Sequence, residues 1–340
     1  MNVLFLTVGD KNLASSRVRV YSHLPFLREK GVKCAVLSYT ASWRQDAIIS
    51  GRDQNLLIRM AGRAYSISIL VCSLLLSPFF DIIFLQKIAL SRFSVFLLSL
   101  LGGEMIYDYD DAVFLDKAID HILIKASCVL VPNDDLSGHS KRYNENVYVI
   151  PSPVRAGQRK DRGNYNADRV TIGWLGSPAT SGYIAGIGNV LKEVKKAHKN
   201  VDIRIMGADR IVCMDIMGVA AIEDWSIEGE EEFLNSIDIG LMPLSDDPVS
   251  RAKAGYKLLR YMGKGIPGVA SPVGINTQIV KDGANGFLAD TDKEWVKKIG
   301  ILIRNNGLRG KMGMMALETT RVKYSYDVLS PKLLGILESL

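Results

Sequence analysis

The chain has 340 residues, 48% of them apolar and 23% charged, and a formal net charge of +6. That is room for two α/β domains, each with its own core, in an ordinary globular composition. The positive excess is diffuse, with no basic stripe interleaved with aromatics. Nucleic acid is therefore not expected as a partner, whereas an anionic substrate or an anionic membrane surface is compatible.

The N-terminal run MNVLFLTVG lacks a charged region before its apolar residues and is expected to be a first strand, not a signal peptide. VLFLTV (3–8) is a continuous apolar run, as in a strand covered on both faces. A loop and a helix over about 17–30 follow, with Gly31 as its C-terminal glycine. CAVLSY (34–39), IIFLQ (82–86), MIYDYD (105–110), CVLVP (128–132) and VYVIP (147–151) read as further strands. The alternation predicts a doubly wound parallel sheet.

Between Ser66 and Leu101 lie two apolar stretches, ISILVCSLLLSPFF and SVFLLSLLGG. Neither reaches the ~18–20 residues of a membrane span. Two core helices flanking the buried strand DIIFLQ are expected. The alternative is an apolar surface, rimmed by Arg52, Arg59, Arg63 and Arg92, resting on a membrane.

Residues 152–168 are polar, rich in Gly and Arg and aperiodic, which suits a linker. The scheme then repeats. VTIGWLG (170–176), DIRIMG (202–207), IGLMPL (239–244), GVAS (268–271) and GFLAD (286–290) read as strands. Helices are expected over 181–197, around 230–236, over 295–304 and through most of 310–340. Domains of 1–155 and 156–325 result, with a helix over 326–340 expected to pack back on the first. Ligands in such sheets sit beyond the carboxyl ends of the strands.

The cysteines Cys34, Cys72, Cys128 and Cys213 are far apart without a CxxC pair, and the four histidines lack HExxH or HxH spacing. Zinc and disulfides are not expected, and a reducing compartment fits.

The most informative segment is SRAKAGYKLLRYMGKGIPGVAS (250–271). Arg251 and Lys253 precede Gly255 and a helix from about Tyr256 to Met262. Cations, a glycine and the free N–H groups of a helix start suit a phosphate group.

With TIGWLGSPAT and DIGLMPL upstream, and SPVGINTQIVKDGANGFLA downstream, this block resembles the donor site of the retaining glycosyltransferases of family 4, which have the GT-B fold. ASSRVRVYSHLPFLREKG, IYDYDDAVF and NVYVIPSPV are similar to a subgroup that works on cell-surface polysaccharides. The resemblance implies two Rossmann-like domains facing each other across a cleft. It implies sugar transfer from a nucleotide diphosphate donor to a glycan or lipid-linked glycan, in the cytoplasm or at the inner membrane face. No metal and no cofactor are implied, the nucleotide-sugar being a substrate.

Retaining transfer of this kind asks for fixed cations on the departing diphosphate rather than side-chain acid–base chemistry. Arg251 and Lys253 are the catalytic candidates. Gly176, Ser177, Thr180, Gly255, Tyr256, Lys257 and Arg260 are donor-side candidates. Ser15, Ser16 and Arg17 are acceptor-side candidates, and Asp110 and Asp111 are expected to contact the transferred sugar or the acceptor. Capping accounts equally for Ser177, Thr180 and the two aspartates. Trp225 is expected in the core, with the rim of the base pocket as the alternative.

The family's Glu-x7-Glu pair falls on Ala252 and Arg260, so both glutamates are absent. A different nucleotide, a different ribose partner or a weakened site would each account for this, and the second fits the retained cations. An epimerase or hydrolase of the same fold and a non-catalytic subunit are the alternative functions.

Overall fold

A computed structural model describes residues 1–49, 55–157 and 169–340. Arg52 and most of the expected linker lie outside the described residues. The chain divides into two compact units, one of Met1–Pro153 with Tyr326–Leu340, the other of Val154–Ser325.

The first unit is built on β1 (Asn2–Thr7), β2 (Lys33–Ser38), β3 (Ile82–Gln86), β4 (Glu104–Asp108), β5 (Cys128–Val131) and β6 (Val147–Val149). They form a parallel sheet of order β2-β1-β3-β4-β5-β6. Val3 to Leu6 are almost completely buried, as continuous apolar runs in a doubly covered sheet must be. On one face Phe5, Phe84 and Ile106 pack with Leu24 and Leu27, and with Leu329, Leu333 and Leu337 of the C-terminal helix Tyr326–Glu338.

The helix expected over 17–30 is interrupted. After a turn at Ala14–Ser16 comes a π-helical turn, Arg17–Tyr21, and the α-helix restarts at Leu24–Glu29. Pro25 stands in the first turn of the restart, where its missing N–H is harmless; within one continuous helix it would break the ladder. The π turn buries Arg19, which donates from Nε to both Asp108 oxygens at 3.1 Å and from Nη1 to the Ile150 carbonyl at 2.6 Å.

The expectation of two core helices around β3 needs correction. Helices α1 (Leu56–Leu76) and α2 (Arg92–Leu101) flank the strand, but α1 buries Gly62, Ser66 and Ser73 while Leu57 and Leu75 are 75% and 70% exposed. With the turn after it, α1 is a 24-residue apolar stretch, longer than either sequence run suggested because Arg59 and Arg63 lie inside its first turns.

The second unit holds β7 (Val170–Leu175), β8 (Val201–Met206), β9 (Ala221–Glu223), β10 (Ile239–Met242), β11 (Gly268–Ala270) and β12 (Gly286–Leu288), all parallel, in the order β12-β11-β10-β7-β8-β9. The edge strand β9 was not anticipated: its three residues are partly exposed and carry no apolar run. The helix expected over 181–197 is two, Ser181–Gly186 and Gly188–Ala197, broken where two glycines bracket Ile187. Its second part buries Val190, Leu191 and Val194 against Trp174, Ile205, Trp295 and Ile299.

Both strand orders reverse direction in sequence beside the first strand of the unit. The switch lies between β1 and β3 in the first sheet and between β7 and β10 in the second, and the crevice of a doubly wound sheet opens there.

Candidate active site

In the second unit the switch is bordered by the loop after β7, by helix α3 (Ile227–Ser236) and by the segment from β10 into helix α4 (Tyr256–Gly263). The N-cap of α4, Gly255, has φ +65, a conformation that favours glycine; a Cβ there would also meet Ile279 and Ile275 at 2.7–2.8 Å. The first turn of α4 lies beside the loop Gly176–Thr180.

That loop is folded on itself. Ser177 N donates to Thr180 Oγ1 at 3.1 Å, and Thr180 N to the Ser177 carbonyl at 2.9 Å. Gly176 has a packing reason, since a Cβ would fall 1.8 Å from the Trp174 indole. Lys257 crosses to this loop from the first turn of α4. Its Nζ donates to Thr180 Oγ1 at 3.0 Å and stands 4.3 Å from the Trp174 ring centroid. Enclosure, with the charge of Lys253 close by, pushes the Lys257 ammonium down to about 7. Among the described residues no carboxylate forms an ion pair with Lys257. A half-buried cation beside another cation suits an anion.

Arg251 ends the short helix Pro248–Arg251 and forks onto the Asp246 carboxylate at 2.6 and 2.8 Å, with its side chain exposed. Lys253 lies between it and α4. Arg260, one turn beyond Lys257, pairs with Glu230 of α3 at 2.7 Å, and the other oxygen of Glu230 accepts from Trp225 Nε1 at 2.8 Å. Trp225 is 39% exposed, so the expectation of a core tryptophan is corrected. Its Cβ abuts Gly207, which approaches the carbonyl of Gly176. Trp225, Glu230, Arg260, Lys257 and Thr180 thus form one connected line along the switch point. A pocket of about 480 Å³ adjoins it, with Ala179, Tyr183, Ser245, Ser271 and Asp290 in its wall.

In the first unit the switch holds a second polar cluster. Ser15 Oγ donates to Asp110 Oδ2 at 2.7 Å, and Gln86 Nε2 donates to Ser15 Oγ at 2.9 Å. Ser16 Oγ lies 3.0 Å from Gln86 Oε1 and accepts from Gly9 N. Lys87 Nζ is 3.0 Å from Asp110 and 3.6 Å from Asp111. Lys87 has φ +59, the only positive φ of a non-glycine residue among the described ones. Burial opposes the charge of Asp110, but Lys87 and Ser15 outweigh it and hold the carboxyl below its usual range. Arg17 points away from this cluster, donating to the carbonyls of Lys11 and Asn12. Ser15, Ser16, Asp110 and Asp111 are therefore brought together; Arg17 is not.

Sequence reasoning missed Lys87 and Glu230. The signal for Lys87 was its place just after a strand at what proves to be the switch. The signal for Glu230 was the acidic run 228–232 ahead of a position that lacks its expected glutamate.

Residues 169–305 match the family model described as Glycosyl transferases group 1. No curated protein matches the chain. Among solved structures, HepE of Anabaena in complex with UDP and glucose aligns at TM-score 0.71 and 13% identity over 100% of both chains. Sucrose-phosphate synthase of Thermosynechococcus elongatus aligns at TM-score 0.72 and 12% identity, covering 100% of this chain and 98% of that one. TarM of S. aureus, in complex with fondaparinux, α-GlcNAc-glycerol and UDP, aligns at TM-score 0.58 and 17% identity over 75% of this chain, which spans 54% of TarM. The fold is GT-B, as the resemblance implied, and the group 1 glycosyltransferase likeness lies within the second unit.

Proposed function

We propose that the protein is a retaining, metal-independent glycosyltransferase of family 4 type, moving a sugar from a nucleoside diphosphate donor to a glycan or lipid-linked glycan in polysaccharide synthesis. The observation that carries this is Lys257, an enclosed ammonium without a carboxylate, beside the open N-terminus of α4 at the switch point. The diphosphate lies on that helix start between Lys257 and Lys253, with Ser177 and Thr180 beside it. Arg251 joins them on leaving Asp246. As the glycosidic bond breaks, charge builds on the diphosphate, which these fixed donors stabilise without rearranging. The acceptor hydroxyl attacks from the face the diphosphate leaves and passes its proton to the leaving oxygen.

Glu230 restores a carboxylate beside position 260, from α3 instead of α4, and we assign it the ribose hydroxyls; Trp225 borders the base. Gln86, Lys87 and Asp110, with Ser15, hold the acceptor or the transferred sugar in the first unit. The donor structures of HepE and TarM contain UDP, which favours uridine as the base. We propose the cytoplasm as its location, either free or at the inner membrane face.

Calorimetric titration with UDP, GDP, ADP and CDP tests the donor site, with Lys257→Met and Lys253→Ala beside the wild type. Micromolar binding of one nucleotide, weakened roughly tenfold or more in the variants, is expected. No heat with any of them would remove the transferase reading.

A further inference from the structure

The long helix α1 is built inside out. A helix on the surface of a water-soluble domain buries its leucines and exposes its polar residues. Here the inward positions are Gly62, Ser66 and Ser73. The Ser66 hydroxyl is satisfied at the Tyr39 and Gly62 carbonyls, and the Ser73 hydroxyl at the Leu70 carbonyl. The outward positions carry Leu57, Met60, Ile67, Val71 and Leu75, spaced as one stripe. Beside it α2 buries Val95 and Leu98 with Ser94, as an ordinary packed helix does, and still exposes Phe93, Phe96 and Leu100 at 70%, 50% and 66%, which continue the apolar surface of α1.

Both helices lead into successive parallel strands, β3 and β4, so they run parallel. Their N-terminal ends share the carboxyl edge of the sheet, where the Gln86–Asp111 cluster lies. Arg59, Arg63 and Arg92 are exposed at those ends. Between Asn55 and Leu101 the only acidic residue is Asp81, and its carboxylate accepts from the backbone N–H of Asn2.

We infer that the α1–α2 face is a docking surface for an anionic lipid bilayer, lying in the plane of the interface with its apolar stripes among the acyl chains and its three arginines on the phosphate headgroups. The inference deepens the membrane-side placement given above and rests on it for location alone. Charge decides the occupant: a face with three cations and, among the described residues, no free carboxylate is repelled by a second copy of itself and attracted by anionic headgroups. Length alone would let α1 span a bilayer. The Ser66 bond to Tyr39, and Gly62 closed over the Arg44 side chain, hold it along the sheet instead. The arginines bring the headgroups to the edge that holds the proposed acceptor cluster.

Flotation of the full chain with vesicles of phosphatidylcholine, with and without phosphatidylglycerol, tests this. Wild type is expected to float with the anionic vesicles, less so in high salt. Ile67→Glu with Leu75→Glu should lower the bound fraction roughly tenfold or more, because the outward stripe then carries charge into the acyl region. Arg59→Gln with Arg63→Gln should abolish the preference for phosphatidylglycerol. Nucleotide binding, measured in parallel, should be unchanged in both double variants, which shows that they fold. Wild type that ignores both kinds of vesicle while still binding nucleotide would overturn the docking surface and leave the transferase reading intact. Vesicle binding without nucleotide binding would do the reverse. A stable wild-type dimer that the Ile67→Glu, Leu75→Glu variant splits, with no vesicle binding, would assign the face to a second copy and overturn the lipid.

Discussion

The two units repeat one sheet architecture and treat charge in opposite ways. At the carboxyl edge of the first sheet every buried charge has a partner: Arg19 with Asp108, and Lys87 with Asp110 and Asp111. At the edge of the second, Lys257 is enclosed against Trp174 and Thr180 with another lysine near it. The first arrangement is complete without a ligand and suits neutral hydroxyls of a sugar, which need oriented donors and acceptors. The second is complete only when an anion arrives. The outer helices differ too: Gly188–Ala197 of the second unit buries its aliphatic residues, whereas α1 exposes them. The same switch-point topology is common to both units, so the proposed division of labour between an acceptor side and a donor side would lie in the loops and helix faces.

The comparison breaks most visibly at Asp110. Asp110→Asn removes the charge opposite Lys87, leaves that lysine with Asp111 alone, and keeps one acceptor oxygen for Ser15. If the cluster positions the acceptor, kcat should fall roughly a hundredfold, the usual consequence of a misplaced reacting group. The Kd for the nucleoside diphosphate, measured by calorimetry, should stay within about twofold. An equal loss in donor affinity would mean that Asp110 serves the second unit instead.

Lys257→Met should weaken diphosphate binding by roughly thirtyfold, the worth of a charge-assisted contact. The stability effects should have opposite signs in the two units. Removing the Asp110 charge lowers Tm by leaving Lys87 with only the more distant Asp111, while removing Lys257 raises Tm in the absence of nucleotide by relieving an enclosed charge. The pH dependence follows from the same lysine. Its folded value of about 7 lies below the ordinary 10.5, so the unfolded chain binds the extra proton between those limits and unliganded stability rises with pH across that window. Nucleotide binding goes the other way: above about pH 7 the ammonium is lost, and affinity should fall as pH rises. A wild-type affinity flat from pH 7 to pH 9 would sink this account; the slope should be absent in Lys257→Met.

Glu230→Gln sharpens the comparison within the donor side. Gln keeps the contact to Trp225 but loses the charge opposite Arg260, and a roughly tenfold rise in donor KM with little change in kcat is expected for a ribose contact. Arg260→Glu restores the family residue in place. Combined with Glu230→Arg it should recover affinity, whereas each alone should not. Additive losses in a double-mutant cycle would show that the pair is only structural.

How far the sequence carried depended on how local the cause was. Strands such as Val3–Leu6 and Ile82–Gln86 were legible because double burial forces a continuous apolar run. Gly255 and Lys257 were legible because a helix start with a glycine and cations is a local pattern. The Lys87 conformation, the π turn at Arg17–Tyr21 and the Arg260–Glu230 exchange were not, because each depends on residues brought together from distant parts of the chain. The outward face of α1 was half legible. Its apolar content was plain, but a stripe of leucines looks alike whether it faces a core or not, and only the burial of Gly62, Ser66 and Ser73 decides it.

A last effect concerns how the chain returns to its first unit. Ser330 on the C-terminal helix meets His23 Nδ1 at 2.8 Å, and Tyr326 lies edge-on to the imidazole. Burial, helped by the charge of Arg19, pushes the His23 imidazole down to about 3. The ring is neutral in the folded chain wherever the unfolded chain, with an ordinary 6.5, takes up a proton. Stability should therefore fall as pH drops from about 6.5 toward about 3, at up to about 1.4 kcal/mol per pH unit from this one group. In His23→Gln, which can still bond to Ser330, that share of the acid loss should vanish while the carboxylate share remains. Urea unfolding at pH 7 and pH 5, followed by a reporter on the C-terminal helix, separates the two. An identical pH loss in wild type and variant would show that something other than His23 governs the attachment of that helix in acid.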